Sequence, residues 1–127
     1  MRSTTTPKLP VDHTARYARM FSAVGNESRL RILRLLLSAH PHGLVVGDIQ
    51  TELGIAPSTL SHHLERLKIE GLVTVRREGT FLWCAPNTPA LEDLLGFLFA
   101  ECCSRSQAVS AEAVVKLCDV VTKRRKA

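Results

Sequence analysis

A mainly α-helical fold with one small β-hairpin is what these 127 residues predict, and three observations predict it. Apolar residues recur at steps of three and four through most of the chain, the period of an amphipathic helix. Only between Leu72 and Ala85 does the pattern turn strand-like, rich in β-branched and aromatic side chains. Between the periodic stretches stand Gly25-Asn26, Pro41, Gly43, Gly54 and Asn87-Thr88-Pro89, residues that stop and restart helices.

Residues 1–10, rich in threonine and proline, contribute no core and are expected to be a disordered leader. Over 12–24, Ala15, Ala18, Met20, Phe21 and Val24 recur at near-helical spacing, with Gly25 as a stop and Asn26 as the next cap. From Glu27 to Ala39, Leu30, Leu33 and Leu37 share a face with Ile32 and Leu36 flanking it, which predicts a central core helix. A short helix over 46–53, ended by Gly54, follows the break at 40–43. The next helix starts at Ala56-Pro57-Ser58, with proline at the first helical position, where its missing N–H is no loss. Leu60, Leu64 and Leu67 fall in one stripe; Ser58, Ser61, His62, Glu65 and Arg66 take the opposite arc. Residues 72–77 and 80–85 predict two strands joined at Glu78-Gly79. Thr88 is the expected cap of a helix beginning at Pro89, and Leu91, Leu95, Leu98 and Cys102 follow at seam spacing. With Leu94, Phe97 and Phe99 alongside, that helix is too apolar for the surface of a small monomer, so it is expected to pack across a homodimer interface. Ala111, Val114, Val115, Cys118 and Val121 predict a further helix near the end of the chain.

Lysine and arginine number 17 against 12 acidic residues, an excess that permits a nucleic-acid partner without requiring one. No apolar run reaches the roughly 18 residues that span a membrane, and MRSTTTPKLP lacks an apolar signal core, so a cytoplasmic protein with no membrane partner is expected. Four irregularly placed cysteines do not make the disulfide framework of a secreted domain and are read as thiols. An activated nucleophile, paired carboxylates and a glycine-rich phosphate loop are all missing, which argues against an enzyme.

Two helices around a tight turn at Gly54, followed at once by a basic hairpin, make a winged helix-turn-helix. An α-helix fits the major groove, so its outward side chains must be able to reach base edges and phosphates. Ser58, Thr59, Ser61, His62 and Arg66 meet that need, and Arg76 and Arg77 of the hairpin can touch phosphate or the minor groove. Taken alone, such polar residues match any exposed helix face, and the two arginines could simply protect an edge hairpin from aggregation. The order helix, turn, polar helix, basic hairpin favours operator DNA. His63 lies on the shoulder of the leucine stripe, where a half-buried, hydrogen-bonded ring is expected rather than a base contact. The expected organisation is a leader at 1–10, a winged-helix DNA-binding and dimerisation domain at 11–104, a C-terminal helix at 105–122 and a basic tail at 123–127.

NESRLRI at Asn26–Ile32 and DIQTELGIAPSTLSHHLERLKIEGLV at Asp48–Val73 resemble the ArsR/SmtB family of metal-responsive repressors, with similarity over roughly residues 15–100. The resemblance implies a dimeric winged-helix repressor released from its promoter by an inducer. Two inducer sites familiar in the family are not matched: Val45–Leu53 holds no cysteine, and no histidine follows His63. Cys102-Cys103 instead resembles the arsenic-responsive type with a cysteine pair at the end of the dimer helix and one further cysteine, here Cys118. The fifteen residues from Cys103 to Cys118 exceed the usual spacing, which leaves open whether inorganic or organic arsenicals are preferred. Trivalent arsenic or antimony is therefore the inducer expected, with no permanent cofactor, because soft thiophiles select thiolates. A thiol redox switch and a repressor without a metalloid ligand are the alternatives. Cys84, beside Trp83 in the second strand, is read as structural, and Cys118 on its apolar face could be core packing.

Overall fold

The computed structural model describes residues 13–101 and 112. Two compact units divide the chain after Leu91. The first unit opens with α1 (Thr14–Val24) and α2 (Glu27–Ser38), separated at Gly25-Asn26. Asn26 caps α2 as expected, its Oδ1 accepting from the Arg29 N–H at 3.1 Å. A two-residue strand, β1 (Leu44–Val45), leads into α3 (Val46–Leu53), then α4 (Pro57–Ile69) and the hairpin β2 (Val73–Glu78) and β3 (Phe81–Pro86). The strands form one antiparallel sheet in the order β1-β3-β2.

The core is built by the stripes that the helical period requires: Met20 and Ala23 of α1, Ile32, Leu33 and Leu36 of α2, Ile49 of α3, and Leu60, Leu64 and Leu67 of α4 are all buried. Val73 and Cys84 close the sheet side. For α2 the inward face is rotated from the expected one, because Leu30 and Leu37 are 44% and 40% exposed. Five leucines and one isoleucine spread over a wide arc, and the packing of α2 against α1, α3, α4 and β3 decides which edge of that arc turns in. Phe21 of α1 likewise stays partly exposed.

Three other expectations are corrected. β1 was not foreseen, since two residues carry no period of their own; it forms because Gly43, at φ +83°, allows the chain to run against β3. A Cβ at Gly43 would stand 2.0 Å from the carbonyl oxygen of Cys84, so no other residue permits that approach. The hairpin turn lies at Gly79-Thr80 rather than Glu78-Gly79, because Glu78 pairs with Phe81 in the ladder. Helix α5 (Thr88–Glu101) is capped by Asn87, not Thr88. The Asn87 Oδ1 accepts from the Ala90 N–H while its Nδ2 donates to the carbonyl of Gly71 at 2.7 Å, so one side chain ties the start of α5 to the end of α4.

From Glu92 onward, in the second unit, Leu94 is buried whereas Leu95 and Leu98 are each 54% exposed. The leader at 1–10, the tail at 123–127 and, apart from Glu112, the helix expected over 105–122 lie outside the described residues, as do Cys102, Cys103 and Cys118. Among the described residues no helix is long and apolar enough to cross a membrane.

Candidate nucleic-acid interface

Helix α3 ends at Gly54, whose N–H donates to the carbonyl of Gln50 and whose φ of +62° turns the chain sharply. Ile55 and Ala56 complete the link, and α4 begins at Pro57 with no side-chain cap on its first turn. The backbone N–H groups of Ser58 and Thr59 are therefore left to an outside acceptor, at the positive end of the helix dipole, the arrangement that receives a phosphate.

Placed around the axis of α4, the predicted residues divide into three positions. Ser58 and His62 stand directly opposite the buried leucines and are exposed, with Glu65 and Ile69 on the same arc. Thr59 and Arg66 lie on one flank, Arg66 half-buried. Ser61 lies on the other flank with Lys68, where both line a cavity of about 250 Å3 together with Val75, Leu82 and Cys84 of the hairpin. Of the predicted residues the outermost are thus a hydroxyl and an imidazole, able to donate to or accept from base edges. Lys68 was not singled out in the sequence, although its seven-residue step from Ser61 places it on the same flank.

The two wing arginines differ in situation. Cross-strand partners share a sheet face, so Arg76 stands with Trp83, its guanidinium 5.3 Å from the indole centroid and its Nε 2.7 Å from the Glu78 carboxylate. Arg77 pairs with Leu82 and lies on the opposite face, the one that Val75 and Cys84 turn toward α4. Arg77 makes no ion pair with any described residue. The end of α4 is joined to the wing by paired hydrogen bonds, Gly71 N–H to the Lys68 carbonyl and Leu72 N–H to the Leu67 carbonyl, which set the angle at which the hairpin leaves.

His63 is half-buried, as expected, with its Nδ1 3.3 Å from Arg29 Nη1. Burial and then the neighbouring Arg29 guanidinium hold its pKa below the ordinary imidazole value. Cys84 is fully buried, and burial pushes its thiol up to about 11. Among the described residues no group of three or more histidine, cysteine and carboxylate side chains could hold a metal ion.

Residues 26–75 match the family described as bacterial regulatory protein, arsR family. A Halobacterium salinarum protein named as an arsenical resistance operon repressor, ArsR2, is 37% identical over 91 residues, 67% of this chain and 76% of its own length. A Streptomyces lividans protein named as a mercury resistance operon repressor is 26% identical over 115 residues, 91% of this chain and 88% of its own length. Among solved structures, the homodimeric winged helix-turn-helix DNA-binding domain Mb0332 of Mycobacterium bovis is similar at a TM-score of 0.60 and 29% identity, covering 83% of this chain and 94% of that one.

Proposed function

From the premise that the chain belongs to the arsR family of bacterial transcription regulators, with a winged helix-turn-helix fold that binds DNA, we propose that it is a homodimeric repressor released from its operator by trivalent arsenic or antimony. Ser58, Thr59, His62 and Arg66 read the major groove from α4, with Ser61 on the wing-side flank. Arg77 meets phosphate or the minor groove beside it, and Arg76 supports the wing from its place on Trp83. The inducer binds Cys102 and Cys103, with Cys118 as third ligand where three thiolates are wanted.

The observation that carries the inducer reading is the state of Cys84. A thiol with no exposure and a pKa of about 11 is a poor ligand for a soft ion at neutral pH, which leaves Cys102, Cys103 and Cys118 as the remaining candidate ligands of the sequence. Adjacent thiols suit a thiophile that takes two or three sulfur ligands. The names of the two relatives, one for arsenical and one for mercury resistance, agree with a soft inducer. To act, inducer binding needs a coupling of roughly 1 to 3 kcal/mol between the thiol site and the DNA face.

Operator binding followed by fluorescence anisotropy, titrated with arsenite, antimonite, methylarsenite, mercuric ion, zinc and peroxide, tests the reading. Arsenicals and antimonite are expected to release the wild type and to leave Cys102→Ser/Cys103→Ser on its operator. Equal release of both proteins removes the site assignment. Release by peroxide alone assigns the thiols to redox sensing instead, and Cys118→Ser separates a two-thiol from a three-thiol site.

A further inference from the structure

We propose that Arg29 is a positioning residue for DNA reading: by donating to the neutral His63 ring it fixes the roll of α4, and protonation of His63 releases that hold. The backbone N–H of Arg29 is bound by Asn26, and its Nε donates to the carbonyl of Ala23 at the end of α1. The guanidinium is thus anchored before its Nη1 reaches His63 Nδ1 across 34 residues of sequence. An arginine has donors only, so Nδ1 must be the lone-pair nitrogen and the ring proton must sit on Nε2. A protonated ring has two donors and no acceptor, which would set donor against donor and cation against cation at 3.3 Å.

Among the described residues no ion pair offsets such a charge. The titratable groups that act on His63 are Arg29 from α2 and His62 on α4 itself, both of which disfavour its protonation. From α1, Arg19 reaches the end of α4, where it pairs with Glu70 at 3.7 Å. Among the described residues no carboxylate pairs with His63. The ring sits between the exposed His62 and the buried Leu64, so pushing it outward turns His62 and, one turn earlier, Ser58 and Thr59 away from their reading positions. The sign follows: the depressed pKa keeps the clasp made at neutral pH, and it is lost as pH falls from the ordinary imidazole value through the lowered one.

The proposal rests on α4 being the DNA-reading element, and its test separates the two. Affinity of the full chain for operator and for an unrelated duplex is measured between about pH 5 and 8, and their ratio is taken, because any histidine that gains charge strengthens phosphate attraction to both. The wild-type ratio is expected to fall about tenfold toward acid, the worth of one hydrogen bond to a charged group. Arg29→Met should bring the neutral-pH ratio down to that acid level and flatten the profile, while raising the His63 pKa seen by NMR. Should Arg29→Met fail to fold, His63→Asn answers alone: its amide oxygen accepts where Nδ1 did and cannot protonate, so it should keep the neutral ratio and abolish the acid loss. A wild-type ratio that does not change with pH, or variants whose profile tracks the wild type, overturns the clasp. If His62→Ala weakens operator binding while Arg29→Met does not, the clasp alone is wrong; if neither matters, the DNA-facing role of α4 fails with it.

Discussion

Gly43 lies against the Cys84 carbonyl beside the β1–β3 ladder, and each of the two residues makes a claim that a single experiment checks. The buried thiol, with its pKa near 11, is expected to be silent to a maleimide or disulfide reagent at pH 7.5 until the chain is unfolded, when it reacts like an ordinary thiol. Mass spectrometry of the labelled native protein reads this directly; rapid labelling of Cys84 would mean that the sheet side of the core opens in the native state. Gly43→Ala must either move the backbone of β3 or abandon its positive φ, since the new Cβ meets the Cys84 carbonyl. Left-handed backbone and overpacking together put the loss at about 2 to 4 kcal/mol, measured by denaturant titration. Loss of less than about 1 kcal/mol would show that β1 contributes little to the fold.

At the scale of elements, the two wing arginines separate a phosphate contact from a structural one. Arg77→Ala is expected to weaken operator and random duplex alike and to reduce the salt slope by about one unit, because one counterion-releasing contact is lost. Arg76→Ala is expected to leave that slope nearly unchanged and to lower stability by about 0.5 to 1 kcal/mol, its cation lying over Trp83 and against Glu78. Equal slopes for the two variants would reject the division of the wing by face. How much of these elements was legible follows from the range of the forces that make them. Pro57, the leucine stripe of α4 and the β-branched hairpin act within a few residues, and the sequence shows them plainly. β1, the rotated face of α2 and the Arg29–His63 contact depend on partners far along the chain, so no local pattern announces them. Asn87 stands between the two cases: Asn-Thr-Pro announces a cap, but both of its first two residues can serve, and the carbonyl of Gly71 decides in favour of Asn87. Replacing Asn87 by alanine removes the cap and that tie together, an expected loss of about 1 to 3 kcal/mol in thermal or denaturant unfolding.

For the whole molecule, the proposed repression requires two copies, because successive major-groove half-sites lie about 34 Å apart and one α4 fills only one of them. The second unit offers a surface for that pairing. Leu95 and Leu98 stand three residues apart on α5, each more than half exposed, and two large aliphatic side chains on one helical face are better buried than left in water. Leu94, already buried, is not part of that face, so charges can be introduced beside it without opening the interior. Leu95→Glu/Leu98→Glu is therefore expected to sediment as a monomer with native circular dichroism, where the wild type is expected to sediment as a dimer. Its operator affinity should fall by about a hundredfold or more, since the second half-site no longer adds an intramolecular contact. Its affinity for random duplex should change far less, because phosphate contacts of a single α4 and wing survive in the monomer. A variant that stays dimeric moves the interface elsewhere, and a monomer with unchanged operator affinity removes the dimer from the mechanism altogether.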